Sequence, residues 1–257
     1  MTMIFYNNSN PSLEERLASE LEFSRIVSEN TDFEMRYYAT PAGQIRWNRR
    51  ASLFSKFVSN NDYILEIGCG SGFLTEEIAK TGARIEAIDI ASESIDRAKE
   101  KSNVKNVRFQ VMDAHRTQFE SNIFDDVILG SALHHLDLKI ALQEMYRILR
   151  PGGRIVCSEP NLLNPQNMVI KKFSHFKKRE SKFETAFIRW RVKQAFESAG
   201  FIEVNVTPYD FMHPSLPEFL IPTFKKLGYY LENIPILKEL AGCLLIEAKK
   251  PTSSCDQ

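Results

Sequence analysis

Between Ile64 and Ile78 the chain reads ILEIGCGSGFLTEEI: an apolar run, glycines at every second position, then an amphipathic stretch. Gly68, Gly70 and Gly72 carry no Cβ, so the backbone there can bend sharply and approach a ligand closely. A helix that starts immediately afterwards turns its free N–H groups toward the same place. An acid, Glu66, closes the apolar run. The glycine spacing differs from the G-x-G-x-x-G string of dinucleotide-binding turns. The plainer reading of such a string is a tight strand-to-helix turn that holds nothing.

Further acids follow at regular intervals. Asp89 ends the apolar run IEAIDI. A carboxylate at the carboxyl end of a second parallel strand can accept from both hydroxyls of a ribose, because it offers two oxygens to a vicinal diol. A surface acid beside a helix start is the alternative. Asp113 follows VRFQVM, where an acid that caps a turn is equally readable. Next come Ser131, His134 and His135 in GSALHHL, and Glu159 after RIVCS. Histidine titrates near neutrality and could accept a proton from a reacting group, and Glu159 is a second candidate base. The residues alone do not choose between the two histidines, and helix entry is the competing role for both.

These groups need a scaffold that brings strand ends together. From Tyr63 onward short apolar runs alternate with amphipathic segments. Strands are predicted over 63–67, 84–88, 107–111, 124–129 and 154–158, with helices over 73–80, 92–101 (capped by Ser92) and 138–149. That alternation predicts parallel βαβ units with right-handed crossovers. Pro151-Gly152-Gly153 reads as the turn before the fifth strand. Residues 1–60 read as a helical cap. It has a Ser12/Glu15 capping box ahead of Leu13, Leu17 and Leu21, and a second helix over 43–58 after Pro41.

Beyond Glu159 come an insert at 161–184, a helix over 189–198 ended by Gly200, and a strand over 201–206. An apolar insert at 213–240, a last strand over 242–248 and a flexible tail at 251–257 complete the chain. The basic run from Lys171 to Arg179 could meet a phosphate or carboxylate, with a solvated face as the alternative. The 213–240 insert could line a substrate pocket or dock a lipid-like acceptor, with packing over the sheet edge as its alternative.

Composition limits the partners. Lys plus Arg equals Asp plus Glu at 33 each, so no global field draws the chain to nucleic acid or anionic membranes. The four cysteines form no C-x-x-C pair, which argues against zinc and fits a reducing cytoplasm. No basic-then-apolar leader and no long uncharged apolar stretch is seen, so neither a secretory signal nor a transmembrane segment is expected.

Taken in order, Glu66 with the glycine string, Asp89, Asp113, the GSALHHL segment and RPGGRIVCSEP resemble class I S-adenosylmethionine-dependent methyltransferases of the small-molecule branch. The resemblance covers residues 45–160. It implies an α/β, doubly wound, Rossmann-like fold with a seven-stranded, mostly parallel sheet whose last strand is antiparallel. It also implies S-adenosyl-L-methionine as cofactor. The glycine turn would be held by Glu66, Gly68, Cys69, Gly70 and Gly72. Asp89 and Ile90 would take the ribose side, Asp113 and Ala114 the adenine, and Ser131 the methionine portion. Arg46 has a guanidinium shaped to meet the cofactor carboxylate.

The expected activity is methyl transfer to oxygen, nitrogen or carbon of a small-molecule acceptor, anionic or lipid-like. Its pocket would be built from the N-terminal helices, the insert after the fifth strand and the 213–240 segment. A non-catalytic cofactor-binding or scaffold protein is an alternative. A nicotinamide-dependent oxidoreductase is disfavoured by the glycine spacing, and a nucleic-acid methyltransferase by the zero net charge.

Overall fold

Ile64 and Leu65 are adjacent and both fully buried, which in a strand requires cover on both faces of the sheet. The computed structural model describes residues 11–29, 39–172 and 187–252, without the side chains of 26–29 and 170–172. It places seven strands in one sheet, in the order β3-β2-β1-β4-β5-β7-β6. These are β1 (Tyr63–Ile67), β2 (Arg84–Asp89), β3 (Val107–Val111), β4 (Phe124–Gly130), β5 (Leu149–Pro160), β6 (Ile202–Tyr209) and β7 (Cys243–Lys249). The first five pair in parallel, and β7 lies antiparallel between β5 and β6. This is the doubly wound sheet the alternation predicted. Strand order reverses between β1 and β4, the point at which a crevice opens outside the carboxyl ends.

Eight helices flank or cap the described sheet: α1 (Leu13–Glu29), α2 (Pro41–Phe57), α3 (Phe73–Ala79), α4 (Ser92–Lys101), α5 (Leu138–Ile148), α6 (Pro165–Lys172), α7 (Arg189–Ser198) and α8 (Ile221–Asn233). One face of the sheet packs Leu65, Leu129, Met145 and Phe196 together. The other packs Ile64, Ile128, Phe54, Ile78 and Ile95.

The capping box forms as expected: Ser12 N–H donates to Glu15 Oε2 at 2.8 Å, and Glu15 N–H to Ser12 Oγ at 3.2 Å. Helix α2 starts two residues earlier than predicted, because Thr40 Oγ1 accepts from Gly43 N–H and Pro41 supplies a helical φ. The predicted Ser92 cap is corrected. Ala91 holds the extended cap conformation and Ser92 is already helical. The 151–153 turn is corrected too. β5 begins at Leu149, and the register with β4 slips between Phe124 and Asp126, so Pro151-Gly152-Gly153 forms an irregularity within the strand, with Gly152 at φ +80.

The segment joining β6 to β7 does not pack over the sheet edge as core. Its buried apolar residues are few, Met212 and Ile221 in a small cluster with Ala42, and Ala241 just before β7, and α8 is otherwise largely exposed. Tyr37, Tyr38, Lys177, Lys178, Arg179 and Cys255 lie outside the described residues.

Besides its ladders to β5 and β6, β7 is anchored at its end by one amine. Lys250 Nζ donates to Asn122 Oδ1, Tyr146 O and Leu149 O, each at 2.7 Å. An ammonium has three donors, so all are used. Lys250→Met leaves three acceptors without that donor and is expected to cost about 2–4 kcal/mol. Urea unfolding checks this, and an unchanged midpoint would refute it.

Candidate active site

At the end of β1 the chain doubles back through the glycine string. Gly68 N–H and Cys69 N–H both donate to Ile88 O, at 2.8 and 3.1 Å, which locks this turn to the end of β2. Gly68 sits at φ +70, and a Cβ there would lie 2.4 Å from Ala132 Cβ. Glycine is therefore required twice, by conformation and by space. Gly70 N–H donates to Asp89 Oδ2 at 2.9 Å, while Asp89 Oδ1 accepts from Ala91 N–H at 2.9 Å. One carboxylate thus joins the glycine turn to the start of α4.

These loops surround a cleft of about 320 Å³ at the carboxyl ends of β1, β2 and β4. Of the residues singled out in the sequence, Glu66, Gly68, Cys69, Gly70 and Asp89 line it, with Ile90, Asp113, Ala114, Ser131 and His135. Gly72 does not. It caps α3 at φ +83, where a Cβ would press on Ala98 and Phe109 at 3.3 Å. Arg46 does not either. Its Nε donates to Asp210 Oδ2 at 2.5 Å and its Nη2 reaches Cys243 Sγ. Burial works against the Arg46 charge, and Asp210 outweighs it, holding the guanidinium above its ordinary pKa.

Glu159, the second candidate base, is fully buried behind the wall. Its Oε1 accepts from Ala132 and Leu133 N–H, and its Oε2 meets His134 Nδ1 at 2.6 Å. Glu159 and His134 therefore brace the turn over 131–135 rather than face the cleft. His135 faces it and pairs with Glu20 Oε2 of α1 at 2.9 Å. Ser131 adopts φ +71, uncommon for a side chain, and its hydroxyl is held by Arg50 Nη1 at 3.1 Å and donates to Ser158 O.

Glu66 is 1% exposed, and its Oε2 has no hydrogen-bond partner. Burial pushes its carboxyl up to about 8; Thr75 opposes this and the Asp89 charge adds to it. Asp113 behaves oppositely. Burial pulls it upward, but the His115 ring and N–H outweigh that and hold the carboxyl below its ordinary range. His115 Nδ1 lies 2.7 Å from Asp113 Oδ1, while its Nε2 accepts from Asp137 N–H at 2.8 Å. The ring proton is thereby assigned to Nδ1, aimed at Asp113.

Sequence reasoning missed His115, and it missed Leu17, Glu20, Phe23 and Trp47, which line the cleft from α1 and α2. The N-terminal helices were expected to build the pocket, but which of their residues would face the cleft was not readable. Among the described residues no group of three His, Cys, Asp or Glu is placed to hold a metal ion.

Similarity to known proteins is decisive at this point. A family model described as "Methyltransferase domain" matches residues 65–157. Demethylmenaquinone methyltransferase of Staphylococcus aureus is 32% identical over 169 residues, spanning 56% of this chain and 70% of that protein. The chain belongs to the class I S-adenosylmethionine-dependent methyltransferases. It is an enzyme that uses S-adenosyl-L-methionine.

Solved structures agree on the fold. A Thermotoga maritima protein described as a possible histamine N-methyltransferase superposes with a TM-score of 0.65 at 16% identity, covering 89% of this chain and 99% of that one. A Haemonchus contortus phosphoethanolamine N-methyltransferase bound to S-adenosylhomocysteine gives 0.56 at 19% identity, over 80% of this methyltransferase and 53% of that chain.

Gly68→Ala is expected to destabilise the methyltransferase by about 1–3 kcal/mol, from the left-handed φ and the Ala132 contact together. Adding Ala132→Gly should restore only part of the loss, since it relieves the contact and not the backbone strain. Thermal unfolding of the pair checks this. Full restoration would show that φ carries no cost.

Proposed function

We propose that this enzyme transfers a methyl group from S-adenosyl-L-methionine to oxygen, nitrogen or carbon of a small-molecule acceptor in the cytoplasm, with residues 1–60 as a cap over the cofactor domain. The observation that carries the reading is a single cleft in which Glu66, Asp89 and Asp113, from the ends of three neighbouring strands, surround a bend that has no room for a side chain at Gly68. Bound there, the cofactor supplies an electrophilic methyl on a sulfonium.

The chain's own groups match its parts. The backbone at Gly68 to Gly70 admits close approach. Asp89 would take the ribose diol, and Asp113, steadied by His115, with Ala114 the adenine. Ser131 stands at the end of the cleft assigned to the methionine portion. Glu66 presents a carboxylate oxygen lacking a donor, which suits an ammonium. His135 is the candidate base that faces the cleft. If the acceptor is a hydroxyl or a carbon acid, His135 would hold the departing proton; an amine that reacts in its neutral form needs only alignment.

The demethylmenaquinone methyltransferase likeness favours a lipid-like acceptor over the phosphorylated amine named for the nematode enzyme. Three described cysteines, Cys69, Cys157 and Cys243, are buried free thiols, which supports the reducing setting.

Asp89→Ala should weaken S-adenosylhomocysteine binding about tenfold to a hundredfold while the fold survives. Calorimetry beside circular dichroism tests it, and unchanged affinity would remove Asp89 from the site. The Glu66 carboxyl adds a pH dependence. With its pKa near 8 it is protonated at pH 6, and a cationic amine binds best to the ionised form. Binding must then expel a proton, so affinity should climb between pH 6 and 8 and flatten above. Calorimetry in buffers of different ionisation enthalpy should detect proton release at pH 6.5 that Glu66→Gln abolishes.

A further inference from the structure

β6 ends at Tyr209 and β7 begins at Cys243. β6 is antiparallel to β7, and β7 to β5, so β6 runs in the same sense as the parallel strands. The excursion between them therefore rises from the same edge of the sheet as the cleft. It is also tied to the helix that helps line that cleft. Thr40 Oγ1 donates to Pro214 O, and Arg49 pairs with Glu232 at 2.5 Å, both from the start or body of α2, which also supplies Trp47.

The outer surface of this excursion is unusual for a soluble face. Phe219 is 79% exposed and Ile236 is 82% exposed, and Leu227, Tyr229, Tyr230 and Ile234 of the same segment are exposed as well. Of the thirteen residues of α8 only Ile221 and Gly228 are buried. Large apolar side chains concentrated on one exposed segment mark a docking site.

Charge on the same segment narrows the occupant. Its acids Glu232 and Glu239 are paired with Arg49 and Arg189, which leaves Lys225, Lys226 and Lys238 against Glu218. Lys225 and Lys226 stand one helical turn before Tyr229 and Tyr230. Apolar side chains, aromatic rings with polar tips and lysines on one amphipathic element fit the headgroup region of an anionic bilayer. A second copy fits less well. Lys225 and Lys226 would need acids on that copy, and the segment's Glu232 and Glu239 are already paired with Arg49 and Arg189.

We infer that the 213–240 excursion docks on an anionic lipid bilayer, holding the cleft at the membrane, and that the methyl acceptor is a lipid-soluble molecule taken from it. The second half of this rests on the methyl-transfer reading above. The first does not.

The test is flotation of the full chain with vesicles of phosphatidylcholine mixed with phosphatidylglycerol, and of phosphatidylcholine alone. The wild type should float with the mixed vesicles. Phe219→Asp combined with Ile236→Asp should lower partitioning about tenfold or more. Lys225→Glu combined with Lys226→Glu should reduce it to the level seen on phosphatidylcholine alone. Both pairs lie outside the cleft, so S-adenosylhomocysteine affinity and the melting temperature should be unchanged, which separates lost docking from lost folding.

Absence of wild-type flotation on mixed vesicles would overturn the inference. So would aspartate variants that float like wild type, or a wild-type dimer in light scattering that those variants split. A wild type that floats yet fails to bind S-adenosylhomocysteine would support docking and overturn the assignment of a methyl acceptor.

Discussion

The cleft depends on two loops being held together by groups that a ligand does not need to supply. Ile88 O receives two N–H groups from the glycine turn, and the Asp89 carboxylate receives one from that turn and one from Ala91. Neither contact would form if Gly68 carried a side chain, because Ala132 occupies that space. The bend at the switch point of the sheet is thus preset before anything binds, which lowers the ordering cost of binding. Because Asp89 spends one lone pair of each oxygen on the backbone, it is fixed in direction while retaining acceptor capacity.

Behind this wall lies a second set of polar groups that orient rather than react. Glu159 collects two backbone N–H groups and the His134 ring, and so fixes the turn that presents Ser131 and His135. His115 performs the same service for Asp113. Such supporting bonds hold the groups facing a site within the tolerance that chemistry requires. The arrangement also sorts the acids. Asp113 is held ionised by donors, whereas Glu66, buried with an oxygen lacking a donor, is kept protonated near neutrality. Two acids that line one cleft are therefore given opposite charge states by their surroundings.

The N-terminal helices and the 213–240 excursion give the cleft its surroundings. α1 brings Leu17, Glu20 and Phe23 over it, with Glu20 bonded to His135. α2 links the cleft to the excursion through Arg49 and Thr40.

Much of this was legible in the chain alone. Short apolar runs alternating with period-3.6 amphipathic segments along 63–158 determined the parallel sheet, since strands buried on both faces must be continuously apolar and their crossovers must be amphipathic. The glycines and the strand-end acids were readable because their roles depend on local backbone conformation and on position at a strand's carboxyl end. Tertiary structure alone decided the rest. Whether Glu159 faces solvent or backbone is set by packing between neighbouring strand ends, and whether Arg46 meets a ligand or Asp210, and which residues of α1 face the cleft, by packing between segments more than a hundred residues apart. Local pattern carries no record of such distant neighbours. The exposure of 213–240 was hidden for the same reason: an apolar run reads alike whether it is covered by protein or left facing outward.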